Sequence, residues 1–269
     1  MEKFSREMEE LAAAWLEAEI PVVFTGAGMS TESGLPDFRS AQGLWRQRPE
    51  SIATLAAMRT QPEEFYSFYQ WRIARLWEVA PNPGHRVLSQ LEQLGRLRKI
   101  ITQNIDGLHQ RAGSQQVTEL HGSLRQVSCT QCGADYDSRQ MLPRQPDWEA
   151  ELQAGRHQPG EECKCPKCEG WLRPAVVLFG ENLPADAWSD ALTWSVRSDL
   201  FIVLGSSLVV SPANTCPELA ADSARLAIIN LEPTPLDDLA TWIIRDRVAE
   251  TLLKIRDLIV SEIPLGEIE

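Results

Sequence analysis

Short apolar runs alternate with segments of helical periodicity along most of this chain. Segments such as PGHRVLSQLEQLG and DAWSDALTWSVRS have apolar residues at helical spacing, and Gly95 follows the first of them as a stop signal. The alternation predicts an α/β fold with a doubly wound parallel sheet, whose strands are typically apolar on both faces. The five predicted strands are IPVVFTG (20–26), RKIITQN (98–104), PAVVLFG (174–180), DLFIVLG (199–205) and RLAIINL (225–231).

Two segments interrupt this alternation. Residues 40–80 are helical in pattern and rich in aromatic residues, and residues 124–170 are polar and cysteine-bearing with little strand signal. We predict that both are insertions, which together form a small second domain over the edge of the sheet. The large domain then comprises residues 1–39, 81–123 and 171–269, and it begins with an acidic, amphipathic helix.

Polar or glycine-rich residues follow each predicted strand, as TGAG, TQNID, FGE, GSS and NLE. Ligands of doubly wound sheets bind beyond the carboxyl ends of the strands, so we expect these residues to share one edge. The first of them departs from the dinucleotide fingerprint, because Gly26 and Gly28 are followed by no third glycine until Gly34, and Pro36 excludes a regular helix there. Taken alone, this stretch fits a ligand-binding loop and an ordinary glycine turn equally well.

The residues after the second strand have the side chains of a ligand site. Gln103, Asn104 and Asp106 offer amides and a carboxylate that could hold ribose hydroxyls or a carboxamide, although Asn and Asp also commonly cap the next helix. His121, in ELHGS, precedes a glycine at another strand end. A neutral imidazole there could be a general base or a structural hydrogen-bond partner.

Composition limits the classes of partner. The length of 269 residues and the 43% hydrophobic content suit one large α/β domain with a smaller insertion. With a net charge of −12, we expect no direct nucleic-acid partner and no membrane partner held by charge. No apolar run approaches the roughly 20 residues of a membrane span, and the N-terminus does not have the pattern of a signal peptide. We therefore expect a cytoplasmic protein.

The cysteine spacing indicates a metal site. Two C-x2-C knuckles, CTQC and CPKC, supply Cys129, Cys132, Cys165 and Cys168, and four thiolates are a complete tetrahedral shell for one structural Zn²⁺. Four buried thiols or a redox pair are the alternatives. Cys163 lies two residues before Cys165 and could replace it as a ligand, whereas the isolated Cys216 is expected to be a small buried side chain.

Taken together, seven sequence blocks resemble the sirtuins, a family of NAD-dependent protein lysine deacylases. The resemblance extends from about residue 20 to about residue 235, and its blocks are GAGMSTESGLPDFR, TQNIDGLHQRAG, ELHG, the paired knuckles, LRPAVVLFGENLP, VLGSSLVVSPAN and IINLEPT. It implies a Rossmann-like domain with a small zinc-binding domain. It also implies transfer of the acyl group of an acyl-lysine protein or peptide to ADP-ribose, with release of nicotinamide and with His121 as general base.

The same resemblance implies the sites of the two substrates. The substrate lysine would lie beside Val177, Phe179 and Gly180, and the peptide would add as a strand between the two domains. Adenine contacts near residues 245–248 remain open, because ATWIIRDRVAETL lacks the glycine that many relatives have in the last nucleotide-contacting turn. The implied NAD site consists of Gly26, Ala27, Gly28, Ser30, Pro36, Asp37, Phe38, Arg39, Gln103, Asn104, Ile105, Asp106, Gly205, Ser206, Ser207, Asn230 and Glu232.

One detail concerns the acyl group. Tyr69 and Arg72, in FYQWR, resemble the tyrosine and arginine with which desuccinylating sirtuins hold an acyl carboxylate, although Y-x-x-R also occurs by chance or as a surface pair. Three alternative functions stay open. They are an NAD(P)-dependent oxidoreductase, which would need the missing third glycine, a mono-ADP-ribosyltransferase, and a non-catalytic acyl-lysine reader with a zinc module.

Overall fold

A parallel sheet of six strands forms the centre of the computed structural model, which describes residues 5–262 except for the side chain of Gln47. The order of the strands across this sheet is β3-β2-β1-β7-β8-β9, and a second, antiparallel sheet has the order β5-β4-β6. In chain order the strands are β1 (Pro21–Thr25), β2 (Lys99–Thr102), β3 (Val117–Glu119), β4 (Gly122–Cys129), β5 (Asp135–Asp137), β6 (Leu172–Val176), β7 (Leu200–Leu204), β8 (Arg225–Ile229) and β9 (Trp242–Ile244).

Helices connect these strands, and short 3-10 segments occur in the loops. The α-helices are α1 (Arg6–Glu17), α2 (Leu44–Gln47), α3 (Leu55–Thr60), α4 (Pro62–Glu78), α5 (Pro83–Gln93), α6 (Leu108–Ala112), α7 (Trp148–Gln153), α8 (Ala185–Arg197), α9 (Thr215–Ala221) and α10 (Val248–Glu262). The 3-10 helices are Ala27–Ser33, Glu50–Ala53, Ser138–Met141, Glu161–Cys163 and Asp237–Leu239.

Helices cover both faces of the large sheet. Strands β1 and β7 lie at its centre and are buried at every position, and successive residues face opposite sides. Val23 and Ile202 pack into a cluster with α1, α5 and α10, whereas Phe24 and Phe201 pack into a second cluster with α8 and α9. The predicted doubly wound sheet is therefore confirmed, and it has the two-sided burial that continuous apolar runs require.

The two predicted insertions share one hydrophobic cluster. Phe65 and Phe68 of α4 pack in it with Val127 of β4 and Leu172 of β6. The residue ranges predicted for the two domains remain a prediction, and residues 1–4 and 263–269 of the predicted large domain lie outside the described residues.

The assignment of residues 174–180 to the parallel sheet was wrong. Strand β6 pairs antiparallel with β4 in the small sheet, so the FGE segment does not end a strand of the large one. Its burial alternates along the strand, which is the pattern of a strand covered on one face only. The sequence analysis also missed β3 and β9, which are edge strands of three residues each.

The helix predictions agree with the structure over the described residues. Helices α1, α5 and α8 lie where the periodicity placed them, and Gly95 follows α5 with a φ of +69°. Within residues 5–262, no helix is long and apolar enough to cross a membrane.

Glycines allow the loops after β1 and β7 to touch. A Cβ on Gly26 would lie 2.7 Å from the carbonyl oxygen of Gly205, and a Cβ on Gly28 would lie 2.8 Å from the Cα of Gly205. Gly205 itself has a φ of +59°, and a Cβ there would lie 2.4 Å from the amide nitrogen of Met29. The amide of Gly28 donates to the carbonyl of Gly205 over 2.8 Å, so the two loops are hydrogen-bonded where they meet.

We expect Gly205→Ala to lower the free energy of unfolding by about 3 kcal/mol or more, because it adds left-handed strain and a backbone clash. Gly95→Ala is the matched control, since its φ is +69° and, among residues 5–262, no atom beyond its chain neighbours lies within 4 Å of an added Cβ. That control should cost only about 1 kcal/mol, the conformational part alone. Urea unfolding of both variants checks this, and equal losses would contradict the close contact.

Candidate active site

The loops after β1 and β2 bring three predicted polar residues together. The hydroxyl of Ser30 donates to Oδ2 of Asp106 over 2.7 Å, and Nδ2 of Asn104 donates to the carbonyl of Gly26 over 2.9 Å. All three side chains are buried. Asp106 also accepts a hydrogen bond from the amide of Leu108 at the start of α6, so the capping interpretation applies to it as well. Burial raises the pKa of Asp106, and these hydrogen bonds oppose that shift.

His121 lies beside this cluster with its tautomer set by the backbone. Its Nδ1–H donates to the carbonyl of Gln103 over 2.9 Å, which leaves Nε2 as the acceptor of the neutral ring. Burial lowers the pKa of His121 from 6.5, and the hydrogen bond to Gln103 offsets only a part of this. The ring is therefore neutral at pH 7, as a general base must be before it accepts a proton.

Gln103 joins the loops after β2 and β7. Its backbone amide donates to the carbonyl of Thr25, and its Oε1 accepts from the hydroxyl of Ser206 over 3.1 Å. The other half of its amide, Nε2, is buried and has no hydrogen-bond partner among the residues described. A buried donor without a partner is costly, so a bound molecule with an acceptor at this point would stabilise the site.

The loop of residues 36–39 lies over the helical insertion rather than at a strand end. Oδ1 of Asp37 accepts from the amides of Arg39 and Ser40 over 3.0 and 2.9 Å. The Phe38 ring lies 5.1 Å from the ring of Trp45, and Arg39 forms an ion pair of 2.9 Å with Glu50. These contacts fold the loop on itself and attach it to the small domain, while Pro36 is exposed at its start.

Tyr69 and Arg72 lie one turn apart on α4. The guanidinium carbon of Arg72 lies 5.2, 5.6 and 5.9 Å from the ring centres of Phe38, Phe68 and Tyr69. No carboxylate in the described range lies within ion-pair distance of Arg72. Burial lowers the pKa of Arg72 and raises that of Tyr69 to about 12. The structure therefore holds a desolvated cation against aromatic faces and next to a neutral phenol.

Residues 177–180 form an extended segment between His121 and the helical insertion. The amide of Val177 donates to the carbonyl of His121, and the amide of Phe179 donates to the carbonyl of Ala53. The Phe179 ring is 40% exposed and lies 6.2 Å from Trp45, and Gly180 follows with a φ of +91°. This segment thus links the candidate base to an exposed aromatic surface.

The remaining predicted residues follow β7 and β8. Gly205 and Ser206 are buried, and Ser207 is half-buried. After β8, Nδ2 of Asn230 donates to the carbonyl of Glu232 over 2.7 Å. This turn makes no hydrogen bond or ion pair in the described chain with the cluster around Asp106.

Two residues outside the predicted set shape the site. Arg245, in the range whose adenine contacts the sequence left open, donates from Nη1 to the carbonyls of Asn230 and Glu232 over 3.2 Å and holds their turn. Trp45, which was not among the predicted site residues, contacts Phe38 and Phe179, so it connects the loop of residues 36–39 to residues 177–180. In the sequence, Trp45 indicated only that residues 40–80 form an aromatic-rich insertion, and not that it contacts the site.

Four cysteines form a cluster in the small domain. The sulfur atoms of Cys129, Cys132, Cys165 and Cys168 all lie within 4.8 Å of one another, and two of the separations are 3.5 and 3.7 Å. A tetrahedron with Zn–S bonds of about 2.3 Å has sulfur–sulfur edges of about 3.8 Å. The cluster therefore fits one structural zinc ion, as the spacing of the knuckles predicted.

The two other cysteines lie outside this cluster. Cys163 is buried among the apolar residues of the small domain, where Nε2 of Gln70 lies 3.5 Å from its sulfur, so Cys165 and not Cys163 completes the set. Burial raises the pKa of Cys163, which disfavours the thiolate that a metal requires. Cys216 is buried beneath the large sheet as expected, and burial raises its pKa to about 11.

Comparisons with known proteins agree with this geometry. A family model described as the Sir2 family matches residues 26–212. NAD-dependent protein deacetylase 1 of Geobacillus kaustophilus is 46% identical over 256 residues, which cover 93% of this chain and 98% of that protein. The NAD-dependent protein deacetylase of Oceanobacillus iheyensis is 44% identical over 237 residues, or 87% and 93% of the two chains.

A solved structure gives the same result for the fold. It contains a histidine-to-alanine variant of Sir2 with a deacetylated p53 peptide and 3'-O-acetyl ADP-ribose. That structure matches this chain with a TM-score of 0.83 at 38% identity, and the match covers 93% of this chain and 97% of the other.

We expect Cys165→Ser to lose the zinc ion, because it removes one of four thiolates, whereas Cys163→Ser should keep one zinc per chain. Metal content by plasma mass spectrometry after dialysis checks both variants. Zinc loss from Cys163→Ser with retention in Cys165→Ser would show that the two cysteines had been assigned the wrong way round.

Proposed function

This chain belongs to the Sir2 family, and on that premise we propose that it is an NAD-dependent protein lysine deacylase. NAD, when bound, supplies the ADP-ribose that accepts the acyl group, and nicotinamide is released. The substrates are acyl-lysine proteins or peptides together with NAD, and one structural zinc ion supports the small domain.

One observation carries this proposal most directly. A neutral histidine, His121, is held through Nδ1 by the carbonyl of Gln103, and the next residue, Asn104, belongs to the buried cluster with Ser30 and Asp106. A reader of acyl-lysine would gain nothing from such a base, and the loop after β1 lacks the third glycine that an NAD(P)-dependent oxidoreductase would need. The function is therefore proposed as a reaction that requires proton removal beside a nucleotide.

We assign roles to the site as follows. His121 is the general base that takes a proton from the ribose hydroxyls. Ser30, Asn104 and Asp106 hold the nicotinamide end, and the unpartnered Nε2 of Gln103 is a donor for the cofactor. The other proposed NAD contacts are Gly26, Ala27, Gly28, Pro36, Asp37, Phe38, Arg39, Ile105, Gly205, Ser206, Ser207, Asn230 and Glu232. The close contact between the loops after β1 and β7 already explains why Gly26, Gly28 and Gly205 cannot carry a side chain.

The acyl-lysine enters, in this proposal, beside Val177, Phe179 and Gly180, and its peptide adds as a strand between the domains. The amides of Val177, Leu178 and Phe179 already donate within the protein, the second of them to the carboxylate of Glu181. A peptide strand must therefore donate its own amides to carbonyls of this segment, or displace one of these contacts.

We keep the predicted domain division as a proposal with one change. The cluster that joins α4 to β4 and β6 supports a small domain made of residues 40–80 and 124–170. Because β6 belongs to the small sheet, we place the last boundary after Val176 rather than at residue 171.

The acyl group is proposed to carry a carboxylate, as in succinyl- or malonyl-lysine. Arg72 supports this, because the residue is half-buried, its guanidinium lies near the ring of Tyr69, and it forms no ion pair within residues 5–262. A cation in such surroundings gains more from a ligand carboxylate than a solvated one does.

Location and other partners are proposed from charge and cysteine chemistry. None of the six cysteines forms a disulfide within residues 5–262, which supports a cytoplasmic location. The net charge of −12 supports the absence of direct nucleic-acid and membrane partners. A mono-ADP-ribosyltransferase remains the chemically nearest alternative, and the experiment below distinguishes it.

Incubation with NAD and an acyl-lysine peptide should give nicotinamide, free lysine and O-acyl-ADP-ribose, detected by mass spectrometry. His121→Ala should lower the rate by about 100-fold or more, as expected for loss of a general base. The neutral ring is the active form, so the wild-type rate should fall only as pH drops below 6.5. Acyl loss without NAD would rule the proposal out, and ADP-ribose attached to protein would favour the transferase.

Wild-type protein should act faster on succinyl-lysine than on acetyl-lysine peptides, and Arg72→Met should reverse this order. The substitution removes a charge-assisted contact of about 1.5–3 kcal/mol, which is about 10- to 100-fold in kcat/KM for the succinyl peptide. Parallel assays with acetyl-lysine serve as the control for folding. Faster acetyl than succinyl turnover in the wild type would refute the acid-acyl preference while leaving deacylation intact.

A further inference from the structure

The turn that carries Asp106 is held from the start of β4. The amide of Leu124 donates to the carbonyl of Ile105 over 2.7 Å, and Nε of Arg125 donates to the carbonyl of Asp106 over 2.8 Å. Two successive carbonyls of the turn therefore bind two successive residues of β4. Because β4 begins directly after His121, the same strand fixes the distance between the candidate base and this turn.

The side chain of Arg125 lies across the turn. Gly107 follows Asp106 with a φ of +65°, and a Cβ there would lie 2.8 Å from Cδ and Nε of Arg125. The arginine stem thus occupies the space that a side chain at position 107 would need. Gly107 and Arg125 form a matched pair, in which the glycine permits the approach and the arginine limits the backbone positions of the turn.

An aromatic ring holds the guanidinium in place. The guanidinium carbon of Arg125 lies 4.5 Å from the ring centre of Trp77, and that of Arg139 lies 4.2 Å from the same ring. Nε1 of Trp77 donates to the hydroxyl of Ser138 over 3.0 Å. The ring is therefore fixed between α4 and the 3-10 helix Ser138–Met141, and it restricts the rotamers of Arg125 before any ligand binds.

We propose that Arg125 is a positioning residue for the nicotinamide end of the NAD site, acting through the backbone of Asp106. The inference rests on the proposed function, because it assumes that Asp106 contacts NAD. Arg125 bonds to the backbone behind that carboxylate rather than to either substrate, and it connects the turn, through Trp77, to the small domain.

The charge of Arg125 adds to this role. Asp106 is buried and is faced by Arg72 from α4, Arg125 from β4 and Glu119 from β3. Both arginines lower the pKa of Asp106 against the effect of burial, while burial raises the pKa of Glu119 to about 7. Arg111 on α6 and Asp137 on β5 are the other charged groups that act on Arg125. Loss of the Arg125 charge therefore makes Asp106 easier to protonate as pH falls.

The test compares Arg125→Leu, Arg125→Lys and the control Arg139→Leu with the wild type. We expect Arg125→Leu to raise KM for NAD about tenfold, the usual effect of losing one hydrogen bond from a charged donor, with KM for the acyl peptide within about twofold. In this variant, the fall of kcat/KM for NAD at acid pH should begin at a higher pH than in the wild type. Arg125→Lys should recover part of the loss, because lysine keeps the charge but cannot form the same planar contact with Trp77. Arg139→Leu removes a cation from the same ring without touching the turn, so it should leave KM for NAD unchanged.

Failure of this inference is distinguishable from failure of the proposed function. If the wild type neither binds nor consumes NAD, both fail together. If the wild type is active but KM for NAD is unchanged in Arg125→Leu, the positioning role is refuted and the deacylase remains. Equal changes in both KM values with an unmoved pH profile would show a merely structural role, which also overturns the proposal. Thermal unfolding of each variant identifies loss of folding, and if Arg125→Leu does not fold, the Arg125→Lys comparison alone decides between these outcomes.

Discussion

The crossing of the loops after β1 and β7 is the contact on which the rest of the site depends. Gly26, Gly28 and Gly205 lie so close that a single added methyl group would meet backbone atoms below 3.0 Å. This contact fixes where the 3-10 helix Ala27–Ser33 begins, and that helix places Ser30 against Asp106. The first role of these three glycines is therefore to allow the two loops to pack against each other.

Desolvation governs the chemistry of the groups around this crossing. Burial raises the pKa of Asp106, whereas hydrogen bonds from an amide and a hydroxyl and the charges of two arginines lower it. Burial also keeps His121 neutral, and its hydrogen bond to a backbone carbonyl selects the tautomer with a free Nε2. Buried polar groups of this kind are stable only when their partners are fixed, so the site needs the rigid strand ends that surround it.

The small domain contributes more than a zinc ion. Its apolar cluster holds α4 in place, and α4 presents Arg72 to Phe38 of the loop and Trp77 to Arg125. The helix thus connects the candidate acyl pocket with the turn beside the proposed nicotinamide pocket. Packing within the small domain therefore affects, through α4, the positions of the residues at the end of the large sheet.

Local pattern determined the parallel strands β1, β2, β7 and β8, the helices α5 and α8, and three of the four clustered cysteines, because continuous burial, helical spacing and a two-residue spacer are all features of neighbouring residues. The resemblance in seven blocks indicated the family and the residues at the strand ends. Tertiary structure alone decided that β6 joins the small sheet, because the sequence of an apolar run does not specify which strand it pairs with. It also decided that Cys165 rather than Cys163 faces the cluster, and that Arg125 reaches the Asp106 turn, because both depend on contacts between residues far apart in the chain.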